Sequence, residues 1–159
     1  MSYLTDRAWS DKFIPRIKQI IGSKLIDVSS FKVDTQQATD LIVMNVANLQ
    51  IAARLRRPGY VKEYGNEFTV RCERSSGVKT EFVKIMEGFG DWMFYGHVNE
   101  LETDIIRWFI IDLEAFRTAV RGGLAPCLVK TNTDGETTFM VFHIKRIPEN
   151  CILYSNETE

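Results

Sequence analysis

The clearest secondary-structure pattern in this chain is Leu49-Gln50-Ile51-Ala52-Ala53-Arg54-Leu55-Arg56. Its apolar residues stand at every second position, and two arginines stand among the residues between them. A period of two is that of a β-strand, whose successive side chains point to opposite faces of a sheet. The stretch therefore predicts a strand with one apolar face and one cationic face. Arg57-Pro58-Gly59 ends the strand, because proline and glycine interrupt regular pairing.

Upstream of this strand, the sequence predicts a helix and a second strand. Ser10 is placed to cap a helix with apolar residues at helical spacing, and Gly22 is placed to end it. The four consecutive apolar residues Leu41-Ile42-Val43-Met44 are typical of a strand covered on both faces. Asn45 to Asn48 then predicts a hairpin loop that joins this strand to the Leu49 to Arg56 strand.

Downstream, alternation from Phe68 to Arg74 predicts a third strand in the same sheet. Thr80 is placed to cap a helix. The apolar side of that helix is expected to consist of Phe82, Ile85, Met86 and Phe89. The aromatic run from Trp92 to Tyr95 is expected to return to the sheet.

The remaining elements follow the same reading of local pattern. Ile105 to Ile111 is rich in β-branched and aromatic residues and favours a strand, with a helix as the open alternative. Leu113 to Arg121 predicts a helix that ends at Gly122-Gly123. Cys127 to Ile144 predicts a β-hairpin around Asp134-Gly135. The expected fold class is thus α/β (α+β), a central mixed sheet flanked by helices, with a C-terminal β-hairpin.

Length and composition are those of an ordinary folded domain. The 159 residues are 45% hydrophobic and 26% charged, so a single domain over residues 1–159 is expected, with neither disorder nor a fibrous architecture. No apolar run approaches the length of a membrane span, and the first ten residues do not form a secretory signal. We therefore expect no membrane partner and a cytoplasmic location.

Charge is unevenly distributed along the chain. Residues 54–84 contain eight basic and four acidic side chains, a balance of +4, whereas residues 85–115 contain seven acidic side chains and one basic, a balance of −6. A basic stretch of this kind is typical of a phosphate-binding face. Surface charges that pair with one another are the alternative.

The order of elements, with Asp40 at the start of a strand and polar residues on the next, resembles the PD-(D/E)XK nuclease superfamily. The residues that carry the resemblance are Ala38-Thr39-Asp40-Leu41-Ile42-Val43 and Leu49-Gln50-Ile51-Ala52-Ala53-Arg54, within the first 95 residues. The resemblance implies a restriction-endonuclease-like fold and a divalent metal held between neighbouring strands. The whole chain is also similar to uncharacterised proteins encoded by bacterial viruses and prophages, which implies a bacterial host cell.

The active site that the resemblance implies is not the standard one. Gln50 stands where the superfamily has its second carboxylate, and Ala52 stands where it has its lysine. Some members move that carboxylate to the following helix, which makes Glu81 the second candidate Mg²⁺ ligand beside Asp40. Lys84 and Arg54 are then the candidate cations that stabilise charge on the phosphoryl oxygens. Asp40 as a turn former and Glu81 as a helix N-terminal acid are the non-catalytic alternatives.

The candidate nucleic-acid-binding residues are basic side chains of the same region, namely Arg54, Arg56, Arg57, Arg71 and Lys79. Arginines on one strand face suit phosphate contact, although a solvated strand edge has the same composition. The run from Trp92 to Tyr95 could stack on unpaired bases or pack in the core. His97 is more often structural than a general base.

These residues support three hypotheses about function. The first is a metal-dependent nuclease that uses Asp40, Glu81, Lys84 and Arg54. The second is a non-catalytic nucleic-acid-binding or protein-binding factor on a decayed nuclease fold, such as a regulator or inhibitor of a host system. The third is a small interaction protein without a nucleic-acid role, and a homodimer is compatible with each of the three.

Overall fold

The computed structural model describes residues 3–28, 41–43 and 48–156, and the side chains of residues 5–25 and 48–156. Two compact units make up the chain, Met1–Asn48 and Leu49–Glu159. The expectation of one domain over residues 1–159 stays a prediction.

The described part of the first unit consists of two helices and a small sheet. Helix α1 spans Tyr3–Asp11 and helix α2 spans Ile14–Leu25. Strands β1 (Ile26–Val28) and β2 (Leu41–Val43) pair antiparallel. Two helices therefore occupy the region where the sequence predicted one.

The helix expected from Ser10 to Gly22 was wrong in both of its bounds. The Ser10 hydroxyl donates to the Arg7 carbonyl, at 3.0 Å, instead of capping a following helix. Pro15 is the second residue of α2, and proline is tolerated there because the first N–H groups of a helix have no intrahelical acceptor. Gly22 lies inside α2, which continues to Leu25.

The second unit contains all the remaining described elements. In chain order they are β3 (Ile51–Arg56), α3 (Val61–Tyr64), β4 (Glu67–Arg74), α4 (Glu81–Met86), β5 (Trp92–Val98), β6 (Ile105–Asp112), α5 (Leu113–Arg121), β7 (Cys127–Thr131), β8 (Thr137–His143) and β9 (Ile152–Ser155). Short 3-10 turns occupy Ile144–Arg146 and Glu149–Cys151.

The strands of this unit form two sheets. The four-stranded sheet has the order β3-β5-β6-β9 and is mixed, because β3 is parallel to β5 whereas β6 is antiparallel to both of its neighbours. The three-stranded sheet has the order β4-β8-β7 and is antiparallel. With the helices, this arrangement confirms the α+β class and the mixed sheet. A restriction-endonuclease-like topology stays a prediction.

Two predicted strand pairings were wrong. The strand at Leu41–Val43 pairs with Ile26–Val28 and not with the Leu49 to Arg56 strand, which instead lies parallel to β5. The strand near Phe68 to Arg74 belongs to the three-stranded sheet beside β8, not to the sheet that contains β3. Alternation shows that a segment is a strand, but it carries no information about the partner.

The Thr80 helix cap and the C-terminal hairpin agree with their predictions. The Thr80 hydroxyl accepts from the Val83 N–H at the start of α4, and β7 and β8 form the antiparallel hairpin expected around Asp134-Gly135. Helix α4 ends at Met86, however. Phe89, expected on its apolar side, therefore lies beyond the helix and is 62% exposed.

The core of the second unit lies between the facing sides of the two sheets and helix α5. Phe68 contributes from β4, Tyr95 and Phe109 from the four-stranded sheet, and Phe116 from α5, all buried. The side of β3 that bears Ala52 packs against this cluster. In a strand, Arg54 and Arg56 share that side with Ala52. The arginine-bearing side of β3 therefore faces the core, and it does so at the edge of the core.

Candidate nucleic-acid interface

Two of the predicted site residues, Arg54 and Glu81, are in direct contact. Arg54 Nε donates to Glu81 Oε1 at 2.6 Å, and the Arg71 backbone N–H donates to Glu81 Oε2 at 3.4 Å. Thr80 caps α4 and so presents the following residue, Glu81, to β3 and β4. The carboxylate therefore links the edge strands of the two sheets.

The other two members of the predicted catalytic set do not complete a site. Asp40 lies outside the described residues, and Lys84 is exposed on α4. Within residues 3–28, 41–43 and 48–156, no group of three or more His, Cys, Asp or Glu side chains is arranged to hold a metal ion. Both oxygens of Glu81 already accept hydrogen bonds. The described residues therefore do not by themselves fit a Mg²⁺ site, and the pairing of Asp40 with Glu81 stays a prediction.

Arg56 is held by neutral groups. Its Nε donates to the Tyr95 hydroxyl at 2.7 Å, and its Nη2 donates to the Thr69 hydroxyl at 3.0 Å. Its Cζ also lies 5.8 Å from the centre of the Tyr60 ring, a distance typical of a cation–π contact. Because its contacts in the described part of the chain are neutral, Arg56 keeps an uncompensated positive charge.

Arg71 lies on the outer face of the three-stranded sheet, the face turned away from the core. Its Cζ is 5.8 Å from the centre of the Phe139 ring, which it faces across the β4–β8 register. Burial, followed by the charges of Arg74 and Arg54, lowers the pKa of Arg71. Its Nε is buried and has no hydrogen-bond partner among the described residues. Arg71 therefore lies near two other cations, Arg74 and Arg54, and near the Glu81 carboxylate, which acts in the opposite direction.

Two further cations of the predicted binding set are placed differently. Lys79 Nζ forms an exposed ion pair with Glu87, at 2.6 Å, so its charge is locally compensated. Arg57 is half-buried and follows directly after β3.

Cations and aromatic rings form one continuous line that includes Arg56 and Arg71. From the Arg56–Tyr60 contact the line continues to Tyr64, whose ring centre is 6.2 Å from that of Tyr60. Lys130 Nζ lies 5.6 Å from the centre of the Tyr64 ring, and Lys130 faces Phe139 across the β7–β8 register. We call this line the cation–aromatic row; it consists of Arg56, Tyr60, Tyr64, Lys130, Phe139 and Arg71.

The row follows from local sequence and from strand register together. Tyr60 and Tyr64 are four residues apart across the single turn of α3, so they lie on one side of it. Arg71, Phe139 and Lys130 are neighbours on one sheet face because the registers pair Phe139 with both of the others. Tyr60 is 46% exposed, so much of its ring area faces solvent.

Sequence reasoning missed four members of the row, Tyr60, Tyr64, Lys130 and Phe139. The spacing of the two tyrosines after Pro58-Gly59 was a signal that could have found the first pair. For the other two, the predicted hairpin lacked a register, and without a register the neighbour of Phe139 cannot be named.

The aromatic run that the sequence offered as a stacking surface is buried. Every residue of Trp92–Val98 is buried, and Phe94 stacks on Trp108 with ring centres 6.0 Å apart. These rings therefore pack in the interior. His97, in the same strand, is 1% exposed, which agrees with a structural histidine.

Comparison with known protein families, with curated proteins and with solved structures found no match for this chain. None of the helices in the described ranges is long and apolar enough to cross a membrane.

Proposed function

We propose that this protein binds single-stranded nucleic acid along the cation–aromatic row. The observation that carries the proposal is the continuous line of three cations and three rings on one surface of the second unit. Cations bind the phosphates of a strand, and aromatic faces stack on its bases without preference for sequence. A surface that carries both kinds of group offers contacts to the phosphates and to the bases of a nucleotide chain.

Stacking is the reason for preferring a single strand to a duplex. In a duplex the faces of each base are covered by its neighbours, whereas unpaired bases can lie on a protein ring. Single-stranded DNA and RNA both satisfy this requirement, and the row contains no feature that distinguishes the sugar.

Uncompensated charge supports the same conclusion. Arg56 is held by two hydroxyl groups, and Arg71 faces a ring. A phosphate would supply the negative charge that the contacts of Arg56 lack among the described residues. Arg54 is placed to reinforce the phosphate contact from β3, with a smaller contribution because Glu81 already pairs with it. Arg57 and Lys79 extend the proposed surface at the periphery.

The proposal includes a cytoplasmic location, and it includes an origin in a phage or prophage of a bacterial host cell, which the sequence resemblance implies. It is compatible with a homodimer. A protein partner would be the occupant of a different surface.

Anisotropy titrations of an end-labelled oligothymidylate test this proposal. Three row cations predict that log K falls with log salt at a slope of about −2 for a single strand. Lys130→Gln should make that slope shallower by about 0.7, because one phosphate contact is lost. Tyr60→Ala should weaken binding by about 1–3 kcal/mol and leave the slope unchanged, because it removes stacking and no charge.

The control variant is Arg146→Gln, which removes an exposed charge outside the row and should bind as the wild type does. Absence of binding at low salt, or equal losses in Lys130→Gln and Arg146→Gln, would contradict the proposal. A labelled duplex of the same length should bind more weakly than the single strand.

Metal-dependent hydrolysis of phosphodiester bonds is the second candidate function. The observation that favours it is the half-buried Glu81 carboxylate beside Arg54, on the helix that follows β4. Asp40 would be the second Mg²⁺ ligand and Lys84 an additional cation. Incubation of labelled DNA and RNA with Mg²⁺ or Mn²⁺ should then give products that Asp40→Asn and Glu81→Gln fail to form, while Glu149→Gln still forms them. Intact strands in the wild-type reaction would reject this candidate.

A further inference from the structure

A polar pocket of about 400 Å³ lies between α3, the start of β4 and the end of β8. Its lining includes Lys62 and Glu63 of α3, the neighbouring residues Asn66 and Glu67, and His143. A pocket of this volume is within the usual range for small-molecule and base-sized ligands. The row and this pocket share α3 and β8, since Tyr64 and Phe139 belong to the row.

The floor of the pocket is a buried arginine held in one position. Arg107 is 8% exposed. Its Nε donates to the Gly65 carbonyl at 3.1 Å, its Nη1 donates to the Ser155 hydroxyl at 2.7 Å, and its Nη2 donates to Asn66 Oδ1 at 3.0 Å. Three anchored nitrogens leave the guanidinium little freedom, so the pocket is preformed.

The hydrogen bonds of the pocket walls determine which groups they offer to a ligand. Asn66 Oδ1 is occupied by Arg107, which leaves the Asn66 amide N–H groups as donors. His143 Nδ1 accepts from the Lys145 N–H at 3.2 Å, so in the neutral ring the proton is on Nε2, a second donor. The Glu67 carboxylate forms no ion pair within the described ranges and is the free acceptor.

Charge in the pocket is balanced, which selects against a phosphate. Lys62 and Arg107 supply two positive charges, and Glu63 and Glu67 supply two negative charges. These acids also act on the neighbouring Tyr64. A hydrogen bond to Glu63 makes the largest contribution to raising the Tyr64 pKa, and the charge of Glu67 raises it further. A neutral ligand that both donates and accepts hydrogen bonds therefore fits better than an anion.

We infer that the pocket binds one guanine base of a strand held on the cation–aromatic row. Guanine is the base whose Watson–Crick edge carries two adjacent donors, N1–H and the 2-amino group, beside an acceptor, O6. A carboxylate such as that of Glu67 can accept from both donors, and the Asn66 amide or the His143 Nε2–H can donate to O6. This inference rests on the proposed function, because the row supplies the phosphate contacts that hold the strand in place.

Oligothymidylates that carry one central substitution test the inference. With wild-type protein, a central deoxyguanosine should raise affinity about tenfold over thymidine alone, the gain expected of one bidentate base contact. A central deoxyinosine, which lacks the 2-amino group, should lose most of that gain. Glu67→Gln should bind all three strands with equal affinity, whereas Glu149→Gln should keep the preference.

The outcomes separate this inference from the proposed function. Equal wild-type affinity for the three strands, with salt-sensitive binding retained, would overturn the guanine pocket and leave the row intact. Failure of all strands to bind would overturn both. The inosine comparison uses only the wild-type protein, so it stands even where Glu67→Gln does not fold.

Discussion

Replacing Phe68 by alanine is expected to lower the free energy of unfolding by about 3–5 kcal/mol. The Phe68 side chain is 0% exposed. Its ring centre lies 5.2 Å from that of Phe142, with which it stacks, and 5.5 Å from that of Phe116. It also makes edge contacts with Tyr95 and Phe109. Truncation therefore removes contacts with both sheets and with α5 at once, and leaves a cavity that close-packed neighbours cannot fill.

The matched control is Phe89→Ala, because Phe89 is the same residue type at an exposed position. Surface substitutions of this kind are expected to change stability by no more than about 0.5 kcal/mol. Urea unfolding followed by tryptophan fluorescence measures both variants. A stable domain has only about 5–15 kcal/mol in total, so Phe68→Ala should have a markedly lower urea midpoint. Equal midpoints for the two variants would show that the facing sides of the sheets do not form one core.

Acidification is expected to destabilise the protein by about 3 kcal/mol through His97 alone. The pKa of this histidine is lowered from 6.5 to about 4, first by burial and then by the charges of Arg56 and Arg107. These two arginines stand opposite His97 in the registers of β3 and β6. In the described part of the chain neither ring nitrogen of His97 has a hydrogen-bond partner, so the neutral ring is the form that the interior accepts.

The direction of the effect follows from which state binds the proton. Between pH 6.5 and about 4 the unfolded chain is protonated at this position and the folded chain is not. The stability that the neutral ring contributes is therefore fully present above pH 6.5, falls as the pH is lowered through this window, and does not fall further below pH 4.

The free energy of unfolding of His97→Met should lack this decline, since methionine does not titrate. A series of urea titrations from neutral pH to pH 4 measures it, and His143→Gln serves as the control that should keep the wild-type decline. Parallel curves for wild type and His97→Met would mean that other groups cause the acid sensitivity.

How much of the fold could be predicted depends on the range of the interactions involved. The helix from Leu113 to Arg121 was predicted with its observed bounds, because Gly122-Gly123 mark its end locally. Alternation identified β3 and β4 for a similar reason. The partners of those strands were wrong, because the parallel neighbour of β3 comes from a distant part of the chain. Even the contact at the start of this pairing, from the Gln50 N–H to Asp91 Oδ2, spans 41 residues.

Prediction of the candidate site was partial for a related reason. A basic region from Arg54 to Lys84 could be recognised by counting charges, and Arg54, Arg56 and Arg71 do lie around the proposed binding surface. Their roles could not be assigned, because the pairing of Arg54 with Glu81 and the contact of Arg71 with Phe139 depend on how two sheets are placed. Lys79 was also predicted to bind nucleic acid, but it forms a local ion pair with Glu87.

From local sequence alone, most of the helix and strand segments, the Thr80 cap, the α+β class and the location of the positive charge could be identified. These properties depend on neighbours a few residues apart, where backbone sterics, capping and side-chain periodicity act. Three arrangements became visible only in the tertiary structure. The arginine-bearing side of β3 faces the core, and rings and cations from α3, β4, β7 and β8 form one row. Arg107 lines a pocket next to that row. Those arrangements depend on which distant apolar faces are buried together, and many sequences with the same local pattern would pair them differently.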